Sequence, residues 1–238
     1  MKPTTARPVL ISLLFLAAAL LLSIAVGSVF IPPATLFSVF LAALTGSPLP
    51  PGIPDSFRAI LIDLRLPRTV LVAITGAALS GSGAAYQGLF RNPLADPYLI
   101  GVASGAGLGA VLAMSLRWPE TVLGLLAVPL AAFTASLLTV ALVYWLARVG
   151  RTLPTTNLIL AGVAVSSFAT ALTSFLMIHA TGEIRRAVIW LLGGATLSGW
   201  QPVLAILPYA LPGLGALLVM GHALNVLQFG DEQAQQLG

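Results

Sequence analysis

The chain has 238 residues, of which 58% are hydrophobic and only 8% charged, with 11 Lys and Arg against 7 Asp and Glu. A soluble domain carries about 25% charged residues, so this chain cannot clothe a water-facing surface and is expected to be an all-α, polytopic membrane protein. Its net charge of +4 comes from basic residues scattered singly between apolar runs, which argues against nucleic acid, and the lack of cysteine excludes disulfides, thiolate catalysis and cysteine-held metal.

Residues 1–8 are polar and basic, with Lys2 and Arg7, and residues 9–31 form the first predicted span. This run is longer than the apolar core of a signal peptide and leads into Phe30-Ile31-Pro32-Pro33 with no small-residue cleavage site, so it reads as retained. The basic flank before it and the absence of Lys or Arg until Arg58 place the N-terminus in the cytoplasm. Residues 32–68 read as a long external loop, rich in proline, with a short interfacial helix at 35–44. The second span, 69–89, opens on Leu64-Arg65-Leu66-Pro67-Arg68 and closes on Arg91-Asn92-Pro93-Leu94-Ala95-Asp96-Pro97. Further spans are expected at 99–116, 122–147, 157–178 and 203–219, six in all. They must be helices, because backbone groups in hydrocarbon have to pair within their own segment. A small outer helix is expected at 187–194, and a short polar cytoplasmic helix with Asp231 as its N-cap begins after the sixth span.

Small residues crowd the second and third spans: Gly76, Gly81 and Gly83, then Gly101, Gly105 and Gly109, the last three forming two GxxxG steps. Such faces let helices approach closely, so a tight bundle is expected. Gly105 to Ala110 also fits G-x-G-x-x-A, but no βαβ unit surrounds it and helix packing explains it better. His179 and His222 lack a second ligand at metal spacing and read as interfacial, so no metal site or cofactor is expected. Ser82, Ser104, Ser166 and Ser167 lie in spans without a nucleophile elbow and are expected to bond across helices. The sole lysine, Lys2, precedes Pro3, so the chain has no P-loop, and any ATP must be hydrolysed by another polypeptide.

These motifs resemble the FecCD-type permease subunits of binding-protein-dependent (type II) ABC importers for iron-siderophores, haem and vitamin B12. The resemblance runs through Leu64 to Arg68, Gln87 to Gly101, Leu160 to Ala164, Trp190 to Gly194 and Leu227 to Gly238. It implies a transport subunit rather than an enzyme, in a bacterial inner membrane. Its partners would be a second permease, as a homo- or heterodimer, cytoplasmic ATPase subunits, an extracytoplasmic substrate-binding protein and a metal-chelate substrate. It further implies that Arg65 and Arg68 accept acidic side chains of the binding protein, so that reversing both to glutamate weakens docking and uptake. Thr155 and Thr156 would belong to the cytoplasmic gate. Gly230, Asp231, Glu232, Gln235, Leu237 and Gly238, within residues 228–238, would begin the coupling helices beneath. Family members have about ten spans, so this chain reads as the N-terminal part of a single permease domain, 1–238. An ion-coupled secondary transporter would instead need an ionisable residue at mid-span, and none falls inside the six.

Overall fold

The computed structural model describes residues 6–116, 122–179, 184–194 and 199–227. The coupling segment 228–238, with its six named residues, lies outside them, as do Lys2 and Arg117. The described chain is helical. It has no named strand, only an isolated bridge between Val149 and Thr152. It divides into two compact units, 1–77 with 197–204, and 78–196 with 205–238.

In the first unit, α1 (Ala6–Ala25) is apolar all round and buries none of its side chains. Phe15 is 71% and Leu21 68% exposed, and 20 mostly apolar residues, about 30 Å of helix, are long enough to cross a bilayer core. α1 ends six residues before the expected Ile31. Ile31 instead turns inward and, with Val39 and Leu61, forms a small core that Ile24, Leu36, Phe57 and Ile60 pack against. The predicted loop 32–68 is largely helical. α2 (Pro33–Thr45) starts with proline in its first turn, where a missing N–H costs nothing, and stops at Gly46 in the left-handed conformation. α3 (Asp55–Arg58) then runs through a π-helical stretch, Ala59–Arg65, into α4 (Leu66–Phe90).

The expected boundary at Thr69 is therefore absent, and both arginines lie within one helical run. Pro67 explains the widened turns. Its ring crowds the carbonyl four residues back, and the π geometry, seen in the Leu66 N–H bonding to Leu61 O, makes room.

In the second unit, α5 (Val102–Ser115), α6 (Val122–Ala147) and α7 (Thr155–His179) pack on one another, and α8 (Ile184–Leu191) lies on α5 and α7 through Ala187. α5 is the most enclosed, burying Gly105, Gly107, Gly109, Ala110, Val111, Ala113 and Met114. With 14 residues it reaches about 21 Å, short of a bilayer core. Long apolar helices able to cross a membrane are α1, the Leu126–Ala147 part of α6, α7 and α9 (Gln201–Leu227). α4 has 25 residues, long enough, but is diluted by Gly, Ala and Ser. Pro129 lies inside α6, and Pro208 and Pro212 inside α9.

Two of the four span serines, Ser82 and Ser104, depart from the expected cross-helix bonding, and two threonines behave as they do. Ser82 donates to Ala78 O at 2.7 Å, Ser104 to Gly101 O at 3.0 Å, Thr139 to Ala135 O at 2.8 Å and Thr173 to Ala169 O at 2.7 Å. Each bonds within its own turn, because a carbonyl already within reach satisfies the hydroxyl without requiring a facing partner. Ser23 and Thr69, 2.9 Å apart, do form a cross-helix pair.

The turn between α4 and α5 follows from its sequence. Arg91, at φ 50°, closes a Schellman motif: Asn92 N–H bonds to Gln87 O and Arg91 N–H to Gly88 O. Asn92 Oδ1 accepts from Leu94 N–H at 2.9 Å, and Asp96 Oδ1 from Tyr98 N–H at 2.7 Å, capping the 3-10 turn Pro97–Ile100. Gly101, at φ 82°, then redirects the chain into α5. Losing a cap of this kind costs about 1 kcal/mol. Asp96→Ala should therefore lower the thermal midpoint of the detergent-solubilised protein by a few degrees, while Asp96→Asn, which keeps the acceptor, should restore most of it.

Candidate functional site

The two arginines flank a cleft of about 440 Å³ within the first unit, lined by Ser23, Val26, Gly27, Ile60, Leu64 and Thr69 among others. It lies at the C-terminal end of α1, opposite Arg7. The last carbonyls of any helix lack partners inside it and carry its partial negative charge. α1 has no basic residue in its last turn, and Gly27 does not take up the left-handed conformation that closes many helices. The cation arrives from forty residues later. Arg65 Nη1 donates to Ile24 O at 2.9 Å and to Ala25 O at 3.0 Å, and Nη2 donates to Val29 O.

Arg65 is thus half-buried and turned onto the main chain of α1. One turn on, Thr69 is buried and makes its bond to Ser23. Arg68 differs. It is exposed on the rim of the cleft and makes no hydrogen bond or ion pair among the described residues. The family resemblance gave the two arginines one task, and the structure gives them different surroundings. Ser23, Gly27 and Thr69 were not singled out from sequence. The one hint in the sequence was that no Lys or Arg follows the first apolar run until Arg58.

Thr155 and Thr156, just before the expected span at 157–178, sit in the first turn of α7, and both are exposed. A tight turn precedes them, with Val149 and Thr152 exchanging two backbone hydrogen bonds of 3.0 Å and Arg148 Nε donating to Gly150 O at 2.9 Å.

The glycines divide. A Cβ at Gly105 would strike the Thr139 side chain, and one at Gly109 the carbonyl oxygen of Ala131, so α5 and α6 are in direct backbone approach there. Beside Gly101 the space is tight rather than closed, with Thr139 Cγ2 3.0 Å and Ser166 Oγ 3.1 Å from where a Cβ would sit. Gly81 faces Leu214 and Leu217 at ordinary contact, while Gly76 and Gly83 face open space. Gly162, which the composition argument passed over, meets the main chain of Leu99 and Ile100.

Comparison with known proteins places this arrangement. The model of the FecCD transport family matches residues 14–238. The chain belongs to the FecCD transport family. This FecCD chain is 40% identical over 225 residues to the uncharacterised ABC transporter permease protein YvrB of Bacillus subtilis, covering 94% of its own length and 64% of the relative's. It is 44% identical over 192 residues to the cobalamin import system permease protein BtuC of Halobacterium salinarum, covering 81% and 51%. To the Fe(3+)-citrate import system permease protein YfmE of Bacillus subtilis it is 32% identical over 245 residues, covering 100% and 69%. A solved metal-chelate type ABC transporter in an inward-facing conformation superposes with a TM-score of 0.71 at 27% identity, covering 95% of this chain and 64% of that one. The FecCD chain thus spans between about half and two thirds of these proteins.

Proposed function

We propose that the chain is the N-terminal part of the permease of a binding-protein-dependent ABC importer that takes up a metal chelate, with ferric siderophore as the first candidate cargo. The observation that carries this reading is the family match over residues 14–238. The 44% identity to a cobalamin permease supports a second reading, with cobalamin as cargo.

In this reading the N-terminus is cytoplasmic, so the end of α1, the cleft and Arg68 face the side from which a binding protein delivers cargo. Arg68 is the exposed cation there and takes an acidic side chain of that protein. Thr155 and Thr156, exposed where α7 begins, border the cytoplasmic gate. The 228–238 segment passes the stroke of a separate ATPase to the helices, and a second permease completes the path. Transport then follows alternating access, with nucleotide biasing two arrangements of the bundle. The chain itself makes and breaks no covalent bond.

The test is uptake by the full-length permease reconstituted with its ATPase and binding protein. Ferric siderophore should accumulate only with ATP inside, and unlabelled cobalamin or haem should compete poorly. Uptake driven by an ion gradient without the ATPase would overturn the reading, and preferential accumulation of cobalamin would select the second cargo.

A further inference from the structure

We infer that Arg65 is a positioning residue, an internal clamp that ties the C-terminal end of α1 to the start of α4 and thereby holds Arg68 at the rim of the cleft as the docking cation. The inference rests on the docking role proposed for Arg68 and changes the role of its neighbour.

A guanidinium has five N–H donors, and Arg65 gives three of them to the main chain of residues 24, 25 and 29. Carbonyls at a helix end concentrate partial negative charge, so a cation among them is well placed and costly to withdraw. The group also has no slack. A Cβ at Gly27 would lie 2.6, 2.9 and 3.1 Å from its Nη2, Cζ and Nε, so the Gly27 main chain lies directly against it. The Ser23–Thr69 bond adds a second tie one turn along α4. An incoming carboxylate would have to strip these bonds to use Arg65, whereas Arg68, three residues on, is exposed and makes none among the described residues. Removing the clamp frees the end of α1 from the Asp55–Phe90 run and lets the run, with Arg68 on it, shift against α1.

These 238 residues hold no cysteine, so in a full-length importer cleared of any other cysteine a Ser23→Cys, Thr69→Cys pair reports the α1–α4 contact by oxidative cross-linking. Three backgrounds separate the roles. Arg65→Met removes charge and donors, Arg65→Lys keeps a cation with N–H donors long enough to approach the carbonyls, and Arg68→Gln removes the docking charge alone. We expect cross-linking to fall several-fold in Arg65→Met and to stay near the parent level in the other two. Affinity for the binding protein should fall roughly tenfold or more in Arg68→Gln and in Arg65→Met, and by no more than about threefold in Arg65→Lys.

Unchanged cross-linking in Arg65→Met overturns the clamp, and so does a docking loss in Arg65→Lys as large as in Arg68→Gln while its cross-linking stays at the parent level. If cross-linking falls in Arg65→Met but Arg68→Gln docks normally, the docking role fails and the clamp stands. Should Arg65→Met not assemble, Gly27→Ala attacks the same contact from the other side. It should lower cross-linking, and an undiminished yield there overturns the clamp.

Discussion

Gly162→Ala is expected to prevent stable folding or to lower the thermal midpoint sharply, whereas Gly76→Ala and Gly83→Ala leave the protein as stable as the parent or more so. All three exchanges add one methyl group to a helix and, by propensity alone, favour it by about 1 kcal/mol. The surroundings decide the sign. At Gly162 the methyl would be driven into the carbonyl oxygen of Leu99, with the Leu99 carbonyl carbon and Ile100 Cα both 3.1 Å away. These are main-chain atoms of a 3-10 turn already fixed by the Asp96 cap and the left-handed Gly101, so they cannot swing aside as a side chain would. Overpacking of this kind costs about 1–3 kcal/mol where a core yields, and this contact yields little. At Gly76 and Gly83 nothing lies within 4 Å. Melting the three variants in detergent beside the parent, with size-exclusion profiles, checks the contrast. Equal midpoints for Gly162→Ala and Gly76→Ala would show that α7 does not pack on the turn as described.

That contrast marks how far the sequence could be read. Helical class, the apolar segments and the caps at Asn92 and Asp96 follow from local chemistry, since a period, a length and a side chain two residues from its N–H need no distant partner. Contacts are another matter. A glycine permits close approach without compelling it, which is why Gly105 and Gly76 look alike in the sequence and differ in the fold. The run from Asp55 to Phe90 was hidden by Pro67, which locally argues for a helix start. Here the π-helical turns absorb the ring, and the run continues. The two arginines are three residues apart at the mouth of a predicted span, and the resemblance assigned them one shared task. Only the long-range meeting of residues 24 to 29 with Arg65 separates them, and no local pattern encodes a partner forty positions away.

The same separation gives a second large expected effect. Arg68→Glu should abolish binding-protein docking and reduce uptake to background, and Arg58→Glu, an identical change of charge on the same helical run, should do much less. Both residues are exposed, so neither reversal leaves a buried charge, and global stability should hardly move in either. What differs is place: Arg68 borders the cleft and Arg58 does not. Fields between exposed charges fade over about 8 Å at physiological salt, so a carboxylate seated on the cleft rim is repelled far more by a glutamate at residue 68 than by one ten residues earlier. Reversal also replaces attraction by like-charge repulsion, which at an interface costs several kcal/mol, more than a hundredfold in affinity. Arg68→Gln should lie between, with a weaker dependence on salt than the parent, because one steering charge is gone while no repulsion is added. Binding measured across a salt series for the parent and the three variants separates these contributions. Equal losses for Arg58→Glu and Arg68→Glu would mean that overall charge on the outer face, rather than a defined contact at the cleft, governs docking.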